Sequence, residues 1–375
     1  MLSKSKIGLI RYLKYSWYLI ALVIFAFSFF PDVINLVYTR GFFKYMSEGL
    51  RFVSGKFETA IGEFVLFMII NALIINTLQY FVINKYEYKK SSFWKSTLQR
   101  FSLILIKLYV VFELIWGLNY LKTTPAVAFN LTVPQSYSKA EVDILSLELI
   151  KELNQSRQKL SDSAITILQP NAIFEANILA YQKIALKYPF LNYAFPSIKT
   201  AQFTKLGDYL GYLAFYQPIT GEAIVRGDLP ILTLPFTVSH EIAHQLGYAS
   251  ETEANFIAFV IGSESDQPLF RYSMLLQLFS YVQLAHLDLI AREGDFKQWN
   301  EIIARNKQLL SPKVIDDRKK IKAFFAARSE LLIPASVTLY DQFLQLNKQA
   351  KGIDSYNDVI LWALAYRKKH PTITD

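Results

Sequence analysis

A stretch of twenty residues, from Phe64 to Ile83, contains no charged side chain. A helix of this length measures about 30 Å, which is the thickness of the hydrocarbon core of a bilayer. The composition agrees with a membrane location, because 52% of the chain is hydrophobic and 15% is aromatic, which is more than ordinary soluble proteins contain. The sequence therefore predicts that this segment spans a membrane, with the lipid bilayer as one partner of the protein.

Two further spans are expected, at about residues 15–37 and 101–121. The earlier one follows a basic tail and has no small-residue cleavage site after it, which indicates an anchor that is not removed. The later one contains Lys107 and Glu113. Lys107 lies near enough to one end to reach the headgroups. Glu113 has either a packing role between helices or a role in moving a proton or a substrate.

The distribution of basic residues predicts the orientation. Lys and Arg are more frequent in the N-terminal tail and in residues 84–100 than in residues 31–60. Because basic segments favour the cytoplasmic side, the tail and the second loop are expected in the cytoplasm, at the inner (cytoplasmic) membrane of a bacterium. Three spans then place everything after Leu121 on the periplasmic side. We predict a membrane domain over residues 1–121, a linker over 122–137 and an extracytoplasmic domain over 138–375.

Charge and cysteine content exclude other classes of protein. The formal net charge of +9 arises largely from the residues that set the topology, and no basic motif with interleaved aromatic residues indicates nucleic-acid binding. The chain has no cysteine, which excludes a disulfide framework and a thiolate zinc site. The extracytoplasmic domain is therefore expected to be stabilised by its hydrophobic core alone.

Beyond the linker, the pattern of apolar residues favours a mainly helical domain with a small β-hairpin. Ser138 and Glu141 form a capping box at the start of the first long helix. The hairpin is expected to pair residues 210–215 with 222–226, either as a cap on the core or as an edge for an extended peptide. The other predicted helices cover residues 138–159, 174–187, 272–291, 296–309, 313–329, 334–349 and 355–368.

Residues 235–247 carry the strongest functional pattern. Proline in the first turn and glycine after the last turn predict a helix from Pro235 to Gly247. A spacing of four residues places His240 and His244 on one face, with Glu241 beside them. Two imidazoles at this spacing bind Zn2+, and the adjacent carboxylate accepts a proton from a water molecule. Since the chain has only four histidines, we predict zinc ligands at His240 and His244 and a general base at Glu241.

A catalytic zinc site needs a third protein ligand. The metzincin pattern would have a histidine where this chain has Ser250, so that pattern does not fit. The gluzincin pattern takes a glutamate from the following helix, which makes Glu251 the candidate ligand. Asn255, one turn later, is expected to hold a ligand in place. Glu253 remains the alternative ligand, although it also fits a capping box with Ser250.

Two segments carry a resemblance to a known family. The run Gln217-Pro-Ile-Thr-Gly-Glu-Ala223 and the run from Leu234 to Phe256 resemble a family of bacterial membrane-anchored, zincin-like proteins that is described only as a domain of unknown function. A weaker likeness follows at Arg271-Tyr272-Ser273, and Ile219 stands where phenylalanine is usual. The resemblance implies a gluzincin-type metallopeptidase fold and implies no particular substrate.

Together these patterns predict three N-terminal transmembrane helices followed by an α-rich, zincin-like metallopeptidase domain with a small β-hairpin. The expected function is zinc-dependent hydrolysis of peptide bonds in a peptide or protein substrate at a membrane-anchored site. Tyr272 is a candidate donor to the developing oxyanion, with a purely structural role in the core as the alternative. The alternative function is a non-catalytic zinc-binding membrane scaffold or binding protein.

Overall fold

The computed structural model describes residues 4–329, 331–335, 338, 342 and 356–371. Within these residues the protein is mainly helical, with one small three-stranded sheet. The predicted helix over 334–349 falls mostly outside the described residues. The expected combination of long apolar helices and a larger helical part with a little β-structure is confirmed at this level.

The N-terminal segment contains a sharp bend. Helix α1 (Lys4–Phe27) is followed by α2 (Pro31–Val33), a π-helix (Ile34–Phe43) and α3 (Lys44–Ser54). The two halves meet at 103°, so the expected span over residues 15–37 is not one continuous helix. Pro31 explains the break, because it donates no amide hydrogen bond and restricts the residue before it.

Helix α4 (Ile61–Ile83) contains the expected span over residues 64–83, with a mean hydropathy of 2.0 and only 11% of its most apolar window buried in protein. The expected span over 101–121 is shorter: α5 (Ser91–Ile115) ends at Ile115, and Gly117–Leu121 form a 3-10 helix. Among the described residues, α4 and the helix Pro268–Glu293 are long and apolar enough to cross a membrane. The bent N-terminal pair is a third candidate if both halves form one span. Helix α5 is outside this group because Arg100, Lys107 and Glu113 interrupt its apolar surface.

The rest of the described chain alternates short connections with helices. The expected linker contains a short helix, and the capping box predicted at Ser138 and Glu141 is present, with both hydrogen bonds formed. The expected helices within the described residues are confirmed with small shifts in their ends. The helices of this part of the chain are α6 (Pro125–Ala128), α7 (Lys139–Gln158), α8 (Asp162–Ile167), α9 (Pro170–Ala185), α10 (Thr204–Leu210), α11 (Leu234–Gln245), α12 (Glu251–Ser263), α13 (Pro268–Glu293), α14 (Phe296–Leu309), α15 (Pro312–Ser329) and α16 (Tyr356–Lys369). Of these, α6, α8 and α10 were not expected.

The sheet contains β1 (Ile198–Thr200), β2 (Ala214–Gln217) and β3 (Glu222–Val225), in the order β1-β3-β2. Strand β3 pairs with β2 in the antiparallel direction and with β1 in the parallel direction. The predicted hairpin is therefore confirmed, but its first strand does not begin at residue 210. Gly211 has a φ of 81° and ends helix α10 in the left-handed conformation, so the apolar run from 210 is divided between a helix and a strand.

The core lies between α7, α9, α11, α12, α13 and α16. Helix α13 packs against α7, α12 and α16, and half of its most apolar window is buried in protein. Its apolar composition is therefore accounted for by packing within the protein. A second cluster packs the end of α1, the π-helix and the residues after α5 against Ala249, beside the N-terminus of α12.

Candidate metal centre

Helix α11 carries the two histidines and ends where the sequence predicts. Pro235 lies in its first turn, and Gly247 follows its last residues with a φ of 82°. A Cβ atom at Gly247 would lie 2.6 Å from Cε1 of Phe43 and 3.0 Å from Oδ1 of Asn119. Both the left-handed conformation and the lack of space therefore require glycine at this position. The reversal brings helix α12 back beside α11.

This reversal brings together three side chains that could hold a metal ion. His240 Nε2 lies 3.0 Å from His244 Nε2 and 3.2 Å from Glu251 Oε2, and His244 Nε2 lies 3.9 Å from Glu251 Oε1. One donor atom from each side chain fits within 4.8 Å of the other two. Glu253 is not a member of this group. The arrangement is consistent with the choice of Glu251 over Glu253 as the third ligand.

The outer nitrogens of both imidazoles have hydrogen-bond partners. His240 Nδ1 lies 2.8 Å from Asn255 Oδ1, and His244 Nδ1 lies 2.7 Å from the backbone carbonyl of Tyr248. An oxygen acceptor requires the proton on Nδ1, which leaves the lone pair on Nε2. Two lone pairs 3.0 Å apart repel each other unless a cation or a proton lies between them. The contact to Asn255 agrees with its expected role.

The environment changes the pKa values of these groups in opposite directions. Burial, together with the neighbouring His240, lowers the pKa of His244 to about 4. Burial also acts to lower the pKa of His240, but the hydrogen bond to Glu251 and its charge outweigh this effect and raise it to about 9. Beyond the two Nδ1–H protons, the histidine pair therefore holds at most one further proton near neutral pH, on the ring that is closer to Glu251.

Glu241 lies beside the two histidines and is 5% exposed. Its Oε2 atom is buried and has no hydrogen-bond partner among the described residues. Burial raises the pKa of this carboxyl to about 8, although the nearby His240 acts in the opposite direction. A carboxyl with a pKa near neutral can accept and release a proton under physiological conditions. Since no described residue bonds to it, Glu241 Oε2 is available to accept a proton.

Glu253 forms a different buried cluster with Lys122. The backbone N–H of Ser250 donates to Glu253, but the Ser250 side chain makes no capping hydrogen bond, so only half of the predicted capping box is present. Lys122 Nζ donates to the carbonyl of Leu246 at 2.6 Å and lies 3.6 Å from the centre of the Tyr248 ring. Burial lowers the pKa of Lys122 to about 7 and raises that of Glu253 to about 8. The sequence assigned Lys122 only to a linker.

Aromatic residues from the membrane-proximal segment line the site. The Trp116 ring meets His244 edge-on, with 5.8 Å between ring centres, and also contacts Tyr216 at 4.8 Å. Tyr120 and Tyr281, which are both half-buried, lie within electrostatic range of Glu251. Sequence reasoning missed these contacts, because Trp116 and Tyr120 fall at the end of an expected span. Aromatic side chains there are also what a membrane interface would predict.

Tyr272 lies in another part of the core. It is fully buried, and its hydroxyl donates to Asp317 Oδ2 at 2.7 Å. Asp317 also accepts a hydrogen bond from Arg157 Nε at 2.5 Å. The Tyr272 hydroxyl donates its proton within this network, and Tyr272 is not one of the three grouped residues that could hold a metal ion. Its expected role at an oxyanion stays a prediction.

The end of α11 is held by a buried polar network. The Gln245 side chain donates to the carbonyls of Ser197 at 2.8 Å and Gly221 at 2.7 Å, and it accepts from the Tyr193 hydroxyl at 2.5 Å. The Gln245 carbonyl accepts from Arg51 Nη1 at 2.8 Å. The residue after the second histidine is thus fixed to the sheet on one side and to α3 on the other.

The 217–223 segment joins α4 to this network. The Glu222 carboxylate accepts from the backbone N–H groups of Ile61 at 3.1 Å and Gly62 at 2.5 Å, and from the Thr220 hydroxyl at 2.7 Å. These N–H groups belong to the first turn of α4, where a helix lacks internal partners and favours a negative charge. The motif therefore connects the apolar helix to the strand that packs beside α11.

Comparison with known proteins supplies a family but no activity. A model of the family described as "Protein of unknown function (DUF3810)" matches residues 38–364, which include the grouped histidines and Glu251. No curated protein matches the chain, and no solved structure matches it either. The interpretation of the site therefore depends on its own geometry.

Proposed function

The chain belongs to the DUF3810 family of proteins of unknown function, and we propose that it is a membrane-anchored, zinc-dependent metallopeptidase of the gluzincin type. One observation carries the proposal: two imidazole Nε2 atoms and the Glu251 carboxylate converge within electrostatic range of the buried Glu241 carboxyl, whose Oε2 atom has no hydrogen-bond partner among the described residues. We place the protein in the inner membrane of a bacterium with its N-terminus in the cytoplasm, and we propose that α1, α4 and α5 all cross the bilayer in spite of the charges in α5, which makes the site periplasmic. The substrate is a peptide or protein.

The donor set fits zinc better than the other common divalent cations. Tetrahedral coordination at about 2.0–2.1 Å separates two ligand atoms by about 3.3 Å, and the three donor separations are 3.0, 3.2 and 3.9 Å. Mg2+ and Ca2+ prefer oxygen ligands, whereas two imidazoles with one carboxylate suit zinc. Three protein ligands leave one position for water or substrate, as in catalytic zinc sites.

The protein's own residues have separate roles in this proposal. Bound Zn2+ would supply Lewis acidity, which acidifies water and polarises the scissile carbonyl. Glu241 accepts the proton of the attacking water at Oε2 and passes it to the leaving amine. Asn255 and the Tyr248 carbonyl keep both imidazoles in the Nδ1–H form. Tyr120 and Tyr281 join Tyr272 as candidate donors to the oxyanion, because they lie nearer to Glu251.

A non-catalytic zinc-binding membrane scaffold is the second candidate. It is favoured by the burial of His244, which is 7% exposed, and by the Trp116 ring against it. Such a site could tie α11 to the segment that leaves the membrane. The presence of Glu241 argues against this role, because a structural zinc site has no use for a general base.

Metal content and turnover of the full-length protein in detergent test the proposal. Wild type is expected to hold about one zinc per chain, His240→Ala and Glu251→Ala are expected to lose it, and Glu241→Gln is expected to keep it. A peptide library analysed by mass spectrometry should reveal zinc-dependent cleavage that Glu241→Gln abolishes. A folded wild type without zinc would overturn the metal site. Zinc with equal turnover in Glu241→Gln would overturn the peptidase and leave the scaffold.

A further inference from the structure

Helix α3 has a polar inner face and an apolar outer face. Its buried side carries Ser47, Arg51 and Ser54, which bond to Gln245 and Ser197. Its outer side exposes Tyr45, Phe52 and Val53. A surface helix of a soluble protein shows the opposite arrangement, with the apolar stripe against the core. The outer face of α3 is therefore unsuited to water.

Helix α10 has the same inverted arrangement. Asp208 faces inward and forms a 2.6 Å salt bridge with the buried Arg226, and a Cβ atom at Gly207 would lie 2.7 Å from Arg226 Nη1. The outer side exposes Leu206, Tyr209 and Leu210. Two separate helices thus place charge inside and apolar side chains outside.

Both helices flank the start of α4. Glu63, in the first turn of α4, accepts from the backbone N–H groups of Gln202 at 2.6 Å and Phe203 at 3.3 Å, just before α10. The Phe64 and Phe203 rings meet edge-on at 5.7 Å. Phe52 of α3 meets the exposed Phe195 ring at 5.4 Å, and α3 ends at Ser54, shortly before α4 begins at Ile61. The exposed apolar side chains of both helices therefore lie near the start of α4.

We propose that these side chains form a collar that rests in the lipid headgroup layer around α4, so that the partner of this surface is the bilayer itself. The collar consists of Tyr45, Phe52, Val53, Phe195, Phe203, Leu206, Tyr209 and Leu210. Interfacial helices bury their apolar face at the boundary between headgroups and acyl chains, and tyrosine is enriched there.

Position and charge support lipid rather than a protein partner. Phe64 belongs to α4, which has the higher mean hydropathy of the two single helices that could span a membrane among the described residues, and its ring contacts Phe203 of the collar. A bilayer crossed by α4 therefore also reaches the collar. Lys56 Nζ lies 4.2 Å from the centre of the Phe52 ring, and Lys44 Nζ lies 5.7 Å from that of Tyr45. Basic groups beside an apolar face favour anionic headgroups. The collar also places α3, which binds the end of α11, at the membrane surface.

The absence of cysteine allows single labels in the full-length protein. A polarity-sensitive fluorophore is attached to the cysteine of the Leu206→Cys variant. The labelled protein is then reconstituted into vesicles of phosphatidylcholine and phosphatidylglycerol that contain nitroxide-labelled lipid. Leu309→Cys is the matched control, because Leu206 and Leu309 are 46% and 47% exposed and α14 packs on α7 and α13. Ile74→Cys, in the middle of α4, reports whether that helix is in lipid. Val53→Cys provides the same test on α3 if the α10 variant does not fold.

We expect lipid-borne nitroxide to quench the Leu206 or Val53 label at least twofold more than the Leu309 label, with strong quenching at Ile74. Quenching at Ile74 together with equal, weak quenching at Leu206, Val53 and Leu309 would overturn the collar. Protection of the Leu206 label from aqueous iodide without lipid quenching would also overturn it, because protein would then cover this surface. An unquenched label at Ile74 would show that α4 does not cross the bilayer, and the collar proposal would then lose its premise.

Discussion

Arg51 Nη1 donates a hydrogen bond to the backbone carbonyl of Gln245 at 2.8 Å, and so connects α3 to the residue that directly follows His244. Arg51 is 2% exposed, and its Nε atom also donates to the carbonyl of Ala194 at 3.2 Å. A cation at the C-terminal end of a helix is electrostatically favourable and supplies partners to its last carbonyls. The helix that carries the histidines is therefore fixed at its C-terminal end by α3, the helix that directly precedes α4 in the chain.

We predict that Arg51→Met destabilises the protein by about 3 kcal/mol, because buried carbonyls lose donors that water cannot replace. Denaturant unfolding of the full-length protein in detergent measures the loss. Arg292→Met is the control: Arg292 is 70% exposed and pairs with Asp288 one turn away, which predicts a change below about 1 kcal/mol. Equal losses of unfolding free energy in the two variants would show that the Arg51 contact does not stabilise the fold.

A pair of glycine substitutions tests the connection between α4 and the 217–223 motif. A Cβ atom at Gly62 would lie 2.6 Å from Glu222 Oε2, Gln217 Cγ and Thr220 Oγ1, whereas one at Gly49 would meet nothing within 4 Å. We expect Gly62→Ala to cost about 1–3 kcal/mol of stability through overpacking. Gly49→Ala, inside α3, should be neutral or gain up to about 1 kcal/mol. Thermal unfolding of both variants in detergent provides the comparison, and a neutral Gly62→Ala would contradict the contact.

The local parts of the candidate site could be predicted from the sequence. The spacing of His240 and His244, the glycine that ends their helix and the glutamate that opens the next one are all set within twelve residues. Helical periodicity and a short reversal suffice to bring such residues together. The hydrogen-bond partner of His240 Nδ1 could also be predicted from the sequence, because Asn255 follows Glu251 by one turn.

The parts that join distant segments could not be predicted. Trp116, Lys122 and Arg51 reach the site from other elements, and no local pattern gives such a contact. The prediction of a strand that begins at residue 210 was wrong for a physical reason. Helix α10 exposes apolar side chains and pairs the half-buried Asp208 with the buried Arg226, so its pattern does not match that of a soluble amphipathic helix.

The hydrogen bond from His240 to Asn255 predicts an effect on metal affinity. Asn255→Ala removes the acceptor 2.8 Å from His240 Nδ1, so the ring loses its orientation, and zinc affinity should fall about 10–100-fold while the fold is kept. Competition with a chelator of known affinity measures the change. Asn255→Asp retains an oxygen acceptor and is expected to stay within a few-fold of wild type. If Asn255→Ala binds zinc as tightly as wild type, the contact does not orient the ligand.

The Asp228 carboxylate predicts a pH dependence of stability. It accepts hydrogen bonds from Arg226 Nε at 3.0 Å and Nη2 at 2.8 Å, and these bonds, with the charge of Arg226, lower the pKa of Asp228 in the folded state. The stabilisation is therefore present above the unfolded pKa of about 3.9 and is lost as the pH falls from there through the lower folded value. We expect Asp228→Asn to be less stable than wild type at pH 7, with the difference shrinking on acidification below about pH 4. Paired unfolding curves from pH 7 to 2.5 measure this difference. The control is Asp266→Asn, at an exposed salt bridge with Lys183, which should change stability at pH 7 by less than about 1 kcal/mol. A constant gap between wild type and Asp228→Asn would contradict the linkage.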